Sequence, residues 1–188
     1  MNRKRSGAMK NEDTRVQYTK ARFRNAIIEL LEQKAIGTVT IKELCDTAGL
    51  NRGTFYLHYT EPMDVLHEIE AEIKEETASV WFTAASVMEP LAGHLQKIWE
   101  DRRVISVVIG HNGNPKFLRG IHDMVFPKWK EHMQRMQPDM KEPELRIRFD
   151  YLYSGCTGLV TAWLLGDIDC TVQQIAELLS KLNMNVMK

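Results

Sequence analysis

Apolar residues recur three and four positions apart along most of the chain. From Thr19 to Ala35 they fall at Phe23, Ala26, Ile27, Leu30 and Leu31, the stripe of an amphipathic helix, and Gly37 follows as a stop. A second helix opens at Thr40. Glu43 completes a capping-box pattern there, and Ile41, Leu44, Cys45 and Ala48 form the buried stripe. Gly49 breaks that helix, Leu50 anchors the turn, and Asn51 is placed to cap a third, short helix from Arg52 to Tyr59. Thr60 is expected to cap a fourth, with Pro62 in its first turn, where a missing N–H costs nothing. Met63, Val65, Leu66, Ile69 and Ile73 carry its stripe toward Ala85. Beyond it, Pro90, the stretch Gly110 to Pro115, Pro138 and Pro143 separate four further helical segments, and a last helix starts near Thr171. No strand alternation of useful length and no internal repeat interrupts this, so the fold is expected to be all-α with about nine helices.

Two short helices joined by a glycine turn form a helix-turn-helix, whose second helix fits the major groove of duplex DNA. That helix divides into two faces. Phe55 and Tyr59, four residues apart, are expected to pack inward, leaving Arg52, Gly53, Thr54, Tyr56 and His58 outward. Arg52 can pair with guanine or phosphate, Thr54 can reach phosphate or a thymine methyl, and Tyr56 and His58 can bond backbone oxygens. Gly53 would let the backbone come close to the duplex.

Charge adds to this picture. The net charge is zero, but residues 1–60 hold 11 Lys and Arg against 6 Asp and Glu, while residues 61–188 hold 14 against 19. A basic head on an acidic body suits a polyanionic partner at one end. Residues 1–17, with Arg3, Lys4, Arg5, Lys10 and Arg15, read as a flexible basic arm, residues 18–62 as the DNA-binding head, and residues 63–188 as a helical body.

The run Thr38-Val39-Thr40-Ile41-Lys42-Glu43-Leu44-Cys45, followed by Ala48-Gly49-Leu50-Asn51-Arg52-Gly53-Thr54-Phe55-Tyr56-Leu57-His58-Tyr59, closely resembles the DNA-binding domain of the TetR/AcrR family of bacterial regulators. The resemblance covers residues 18–70 or so. It implies a three-helix reading head followed by a helical domain that dimerises and binds an inducer. It also implies DNA contacts at Thr40, Lys42, Arg52, Gly53, Thr54, Tyr56 and His58, and Asn51 at the mouth of the reading helix joins this set. The expected function is therefore sequence-specific regulation, by default repression relieved by a small apolar inducer, with activation as the other sign. The rival readings are control by a partner protein and, on weaker grounds, an enzyme on a helical scaffold. One departure stands out: the lysine usual at the start of the fourth helix in that family is Pro62 here, beside Glu61 and Asp64.

The body carries softer signals. Tyr151 to Leu164 resembles the penultimate helix of short proteins of that family, and the small residues Ser154, Gly155 and Gly158 would let another helix approach. With the stripe Ile168, Val172, Ile175, Leu178, Leu179 and Leu182 it suggests a two-fold, four-helix homodimer interface. Leu159, Val160, Trp163, Ile175, Leu178 and Leu179 are its expected contacts. Trp81, Phe82, Trp99, Phe117, Met124 and Tyr151 are candidate walls of an apolar ligand pocket.

Three cysteines, Cys45, Cys156 and Cys170, lack the number and spacing of a disulfide framework or zinc site, and Cys45 reads as a small core residue. Neither a metal nor another cofactor is expected. His111, His122 and Asp123 read as surface polar groups without ligand spacing. No phosphate loop, nucleophile elbow or carboxylate pair points to catalysis. No apolar run approaches the ~20 residues of a membrane span. A cytoplasmic protein with reduced thiols is the expectation.

Overall fold

Helix boundaries in the first third of the chain fall where the local chemistry changes. In the computed structural model, which describes residues 3–83 and 88–187, Thr40 closes a full capping box with Glu43 at the start of α2 (Ile41–Ala48). Gly49 ends α2 in the left-handed conformation at φ 64°. The Asn51 side chain accepts from Thr54 N–H and so caps α3 (Arg52–Tyr56). Before them lie α1 (Arg3–Leu31) and a 3-10 turn, Ile36–Thr38. After them come α4 (Pro62–Thr83), α5 (Met88–Glu100), α6 (Arg102–Ile109), α7 (Phe117–Met136), α8 (Glu142–Leu165) and α9 (Val172–Met187). Among the described residues these are nine α-helices with no strand, the all-α architecture expected.

Several boundaries differ from the expectation. The segment read as a flexible arm continues α1 as helix from Arg3 onward. Extending a nucleated helix is inexpensive, because each added residue brings one backbone bond. α3 ends at Tyr56, although His58 and Tyr59 N–H still turn back onto the Phe55 carbonyl, both at 3.0 Å. The cap of α4 is not the Thr60 hydroxyl. The Asp64 carboxylate takes the N–H groups of Thr60 and Glu61 instead, at 2.7 and 3.0 Å.

The chain divides into two units: residues 1–71 with 111–113, and residues 72–110 with 114–188. In the first unit the core is Phe23, Ile27, Leu31, Leu44, Phe55, Leu66 and Ile69, all essentially inaccessible. Asn112 joins this unit by accepting from Ile36 N–H and donating to the Leu31 carbonyl, both at 2.9 Å.

The second unit has two clusters. In one, Leu95 of α5, Trp163 of α8 and Ile175, Ala176 and Leu179 of α9 are buried together. Trp163 stacks on Trp99 with ring centres 4.7 Å apart, and its indole N–H bonds the Cys170 carbonyl. The other gathers Phe126 and Trp129 of α7 around Phe149 of α8, at 5.1 and 5.3 Å. No helix among the described residues is long and apolar enough to cross a membrane.

Candidate nucleic-acid interface

Two contacts, one from the turn after α1 and one from α1 itself, hold α2 at its ends. At the N-terminal end, Lys34 pairs with Glu43 at 2.5 Å, and Glu43 accepts from Thr40 N–H and hydroxyl at 3.0 and 2.7 Å. These bonds, led by the one from Lys34, draw the Glu43 carboxyl down to about 2. At the C-terminal end, the Arg22 guanidinium donates twice to the Ala48 carbonyl, at 2.9 and 2.5 Å. A cation on the last carbonyls of a helix suits the negative end of its dipole. Glycine is favoured here by its left-handed backbone, and a side chain would also displace the Arg22 guanidinium. The φ of Gly49 is 64°, and a Cβ would sit 2.7 Å from Arg22 Nη2.

α3 is then clamped by aromatic rings. Phe55 meets Phe23 edge-on at 5.4 Å, Tyr59 meets Phe23 at 5.9 Å, and Phe55 and Tyr59 lie 5.7 Å apart. The Tyr59 hydroxyl donates to Glu68 at 2.7 Å, and Lys20 pairs with the same carboxylate at 2.7 Å. Desolvation alone would raise Glu68, but these two bonds outweigh it and hold the carboxyl below its ordinary value. Five residues of helix cannot persist alone, so this clamp sets where α3 points.

Of the expected DNA-facing residues, Thr40 and Lys42 belong to the start of α2 and the rest to α3 and its flanks. Lys42, Asn51, Arg52, Gly53 and Tyr56 are exposed, and Thr54 and His58 are half-buried. Two hydroxyls of this set are already engaged. Thr40 donates to Glu43, and Thr54 donates to the Asn51 carbonyl oxygen at 3.2 Å. Gly53 has a structural reason beyond close approach to a duplex, since a Cβ there would come 3.1 Å from the same Asn51 oxygen.

The body residues expected to work together are distributed differently. Trp163, Ile175 and Leu179, placed by sequence at the centre of a dimer interface, are buried inside the chain's own core. The apolar stripe of α9 is wide enough to serve two faces, and the half that includes Ile175 and Leu179 packs on Leu95 of α5 and Trp163 of α8. Leu159 and Leu178 remain exposed, and Val160 packs half-buried against the core. Of the pocket candidates, Trp99 is half-buried on Trp163, Phe117 is buried under the Lys74 ammonium, and Met124 is half-buried. Tyr151 is 69% exposed and lines no interior. Trp81 and Phe82 lie outside the residues whose side chains are described. An open groove of about 370 Å³ runs along α8 past Leu118, Tyr153, Thr157, Thr161 and Leu165, and none of the six candidates lines it.

His122, expected at the surface, is buried. Its Nδ1 lies 2.8 Å from Asp123 and its Nε2 2.8 Å from Asp150, and Arg146 pairs with Asp150 at 3.0 Å. The bonds to the imidazole are the main cause holding both carboxyls below their ordinary range. Beside them, burial pushes the Tyr153 phenol up to about 12, and its hydroxyl donates to the Leu118 carbonyl. This network ties α7 to α8. Among the described residues no three His, Cys, Asp or Glu side chains gather as a metal site.

Comparison with known proteins decides the lineage. Residues 91–185, half of the chain, match the TetR-type family described as a transcriptional regulator C-terminal region. The chain belongs to the TetR family of transcriptional regulators. An uncharacterised HTH-type transcriptional regulator of Bacillus subtilis strain 168, YxbF, is 26% identical over 112 residues, 54% of this chain. The chain spans 29% of the length of that curated relative. A TetR transcriptional regulator from Streptococcus agalactiae 2603V has the same fold, with a TM-score of 0.66 at 20% identity over 93% of this chain and 98% of its own. The fatty acid degradation regulator FadR of Bacillus halodurans gives 0.63 at 14% identity, over 90% and 94%. The family is one of regulators, not of enzymes.

The start of α4 offers an anion little. Pro62 offers neither a charge nor an N–H, and Asp64 occupies the neighbouring N–H groups. The backbone N–H groups of Thr60 and Glu61 are thus taken, and Pro62 has none to offer a phosphate.

Proposed function

We propose that the chain is a sequence-specific DNA-binding regulator that inserts α3 into the major groove. One observation carries this: α3 is fixed by Phe55 and Tyr59 so that Arg52, Gly53, Tyr56 and, partly, Thr54 and His58 face outward. A helix held by rings on one side and bare on the other is built to touch something. Its side chains are those that pair with phosphates and base edges. Lys42 and Asn51 extend the same surface.

Two copies related by a two-fold axis would present two such helices to a near-palindromic operator. The exposed leucines of α8 and α9 supply the apolar surface for pairing. Repression by operator occupancy, relieved when a small apolar molecule enters the aromatic-rich second unit near Trp99, completes the reading.

Selection from random duplexes with the purified chain tests it. The expected result is an enriched sequence with two-fold symmetry, bound with an affinity that falls steeply with salt as counterions are released. No enrichment at moderate salt would overturn it.

A further inference from the structure

The position on α3 most directly opposed to the core is neither charged nor polar. At about 100° of turn per residue, Phe55 and Tyr59 point about 320° around the axis when Arg52 is set to zero. The opposite direction, about 140°, is that of Leu57, with Gly53 about 40° away. Leu57 keeps helical geometry at the C-cap of α3, with φ −71° and ψ −19°. It is 78% exposed, the most exposed large apolar side chain among the described residues. Single exposed leucines are common on protein surfaces and by themselves call for no account. This one lies at the centre of a face whose flanks are polar: Arg52 and Tyr56 on one side, Thr54 and His58 on the other.

Gly53 and Leu57 are four residues apart, so they share one helical face. Helical side chains lean toward the N-terminus, which lays the leucine over the turn that the glycine leaves bare. The result is a smooth apolar ridge with hydrogen-bonding groups along both edges. In a major groove the edges of an inserted helix face the two phosphate backbones and its centre faces the base pairs. The apolar group displayed there is the 5-methyl of thymine.

We propose that Leu57 reads a thymine methyl at the centre of each half-site, with Gly53 providing the clearance for that contact. The inference rests on the DNA-binding reading above and deepens it, assigning a base preference to one residue. It predicts that part of the sequence preference is carried by a methyl group and not by hydrogen bonds.

The test uses the full chain and the duplex recovered by selection. Each thymine is replaced singly by deoxyuridine, which removes only the methyl, and affinity is measured by fluorescence anisotropy for the wild type and for Leu57→Ala. At one thymine per half-site, the wild type is expected to bind about fourfold more weakly, the factor for one methyl-sized group left in water. Leu57→Ala should bind the thymine and uracil forms of that position equally, while keeping the wild-type response elsewhere. The proposal is overturned if no thymine is methyl-sensitive, or if Leu57→Ala keeps the same penalty at the same position. It is equally overturned if Leu57→Ala changes the particle mass by light scattering and leaves DNA binding untouched, which would assign the ridge to a second copy of the chain. The wild-type scan stands even if the variant folds poorly. A selection with no enriched duplex removes the DNA-binding reading itself, and that outcome differs visibly from an operator indifferent to its methyl groups.

Discussion

Removing the Phe55 ring tests how the head is held together. The side chain is fully buried, with Phe23 at 5.4 Å, Tyr56 at 5.6 Å and Tyr59 at 5.7 Å. Phe→Ala in a core costs about 3–5 kcal/mol, depending on how far the site collapses. Three ring partners keep Phe55 off the lower end of that range, since aromatic pairs add about 0.5–1.5 kcal/mol beyond area alone. Collapse offers little relief. α3 could close the gap only by sliding toward α1, and the bond from the Tyr59 hydroxyl to Glu68 at 2.7 Å, with Lys20 of α1 on the same carboxylate, resists that shift.

A cost of about 4 kcal/mol multiplies the open population of the head about a thousandfold. Native-state hydrogen exchange in the intact chain reads this directly. The Leu44 and Leu50 amides, bonded to the Thr40 and Cys45 carbonyls at 3.0 Å each, should lose about three decades of protection in Phe55→Ala. Tyr56→Ala is the control. Tyr56 is 60% exposed and loses only an edge contact with Phe55, so the same amides should change by less than about fivefold. If Phe55→Ala stays within tenfold of the wild type, or Tyr56→Ala is the more damaging of the two, the helix has been assigned the wrong inner face.

Four further outcomes follow from the same structure. Glu43 is held at about 2, below its value of 4.5 in the unfolded chain, so its stabilisation is complete above pH 4.5 and lost as pH falls toward 2; Glu43→Gln should remove that acid-sensitive step from an exchange or circular-dichroism titration. Gly49→Ala should destabilise the head by about 1–2 kcal/mol for the left-handed backbone alone, and by more if Arg22 must move, read in the same exchange experiment. His122→Ala should let the Asp123 and Asp150 carboxyls rise toward their ordinary range, followed by carbon-13 NMR titration; unchanged values would mean that Arg119 and Arg146 alone hold them down. Ile175→Asp buries a charge inside the chain's own core and should unfold the second unit, whereas Leu178→Asp, at a residue 57% exposed, should leave the fold intact and separate the proposed dimer by light scattering.

The head was far more legible than the body, for a physical reason. Its signals are local. Thr40 and Glu43, Gly49, and Asn51 and Thr54 each act over three residues or fewer, so a linear reading captures them. The inward pair Phe55 and Tyr59 follows from helical spacing alone. What spacing did not show is where α1 begins, because the basic residues before Tyr18 need no burial to continue a helix. The cap of α4 also escaped, because Asp64 reaches back to the Thr60 and Glu61 N–H groups, a role its position in the sequence does not mark.

In the body the decisive contacts join distant residues. His122 and Asp150 are 28 positions apart, and neither residue type announces the other. The i, i+4 pair of Arg146 and Asp150 was readable as a helical ion pair, yet it could not indicate that a buried imidazole completes it. The α9 stripe shows the limit most clearly. Ile175, Leu178, Leu179 and Leu182 all fit one amphipathic period, but burial divides them: Ile175 and Leu179 pack inward and Leu178 and Leu182 face out. Periodicity says that a face wants to leave water. It carries no information on whether the covering surface comes from the same chain or from a copy, since the apolar transfer free energy is the same for both. The division becomes visible only once α5 is in place, with Leu95 filling the space against Trp163 and Leu179. The leucines beyond the reach of α5 stay exposed and are the ones the proposed pairing can use. For that reason the proposed interface moves outward, from Trp163, Ile175 and Leu179 to Leu159, Leu178 and Leu182.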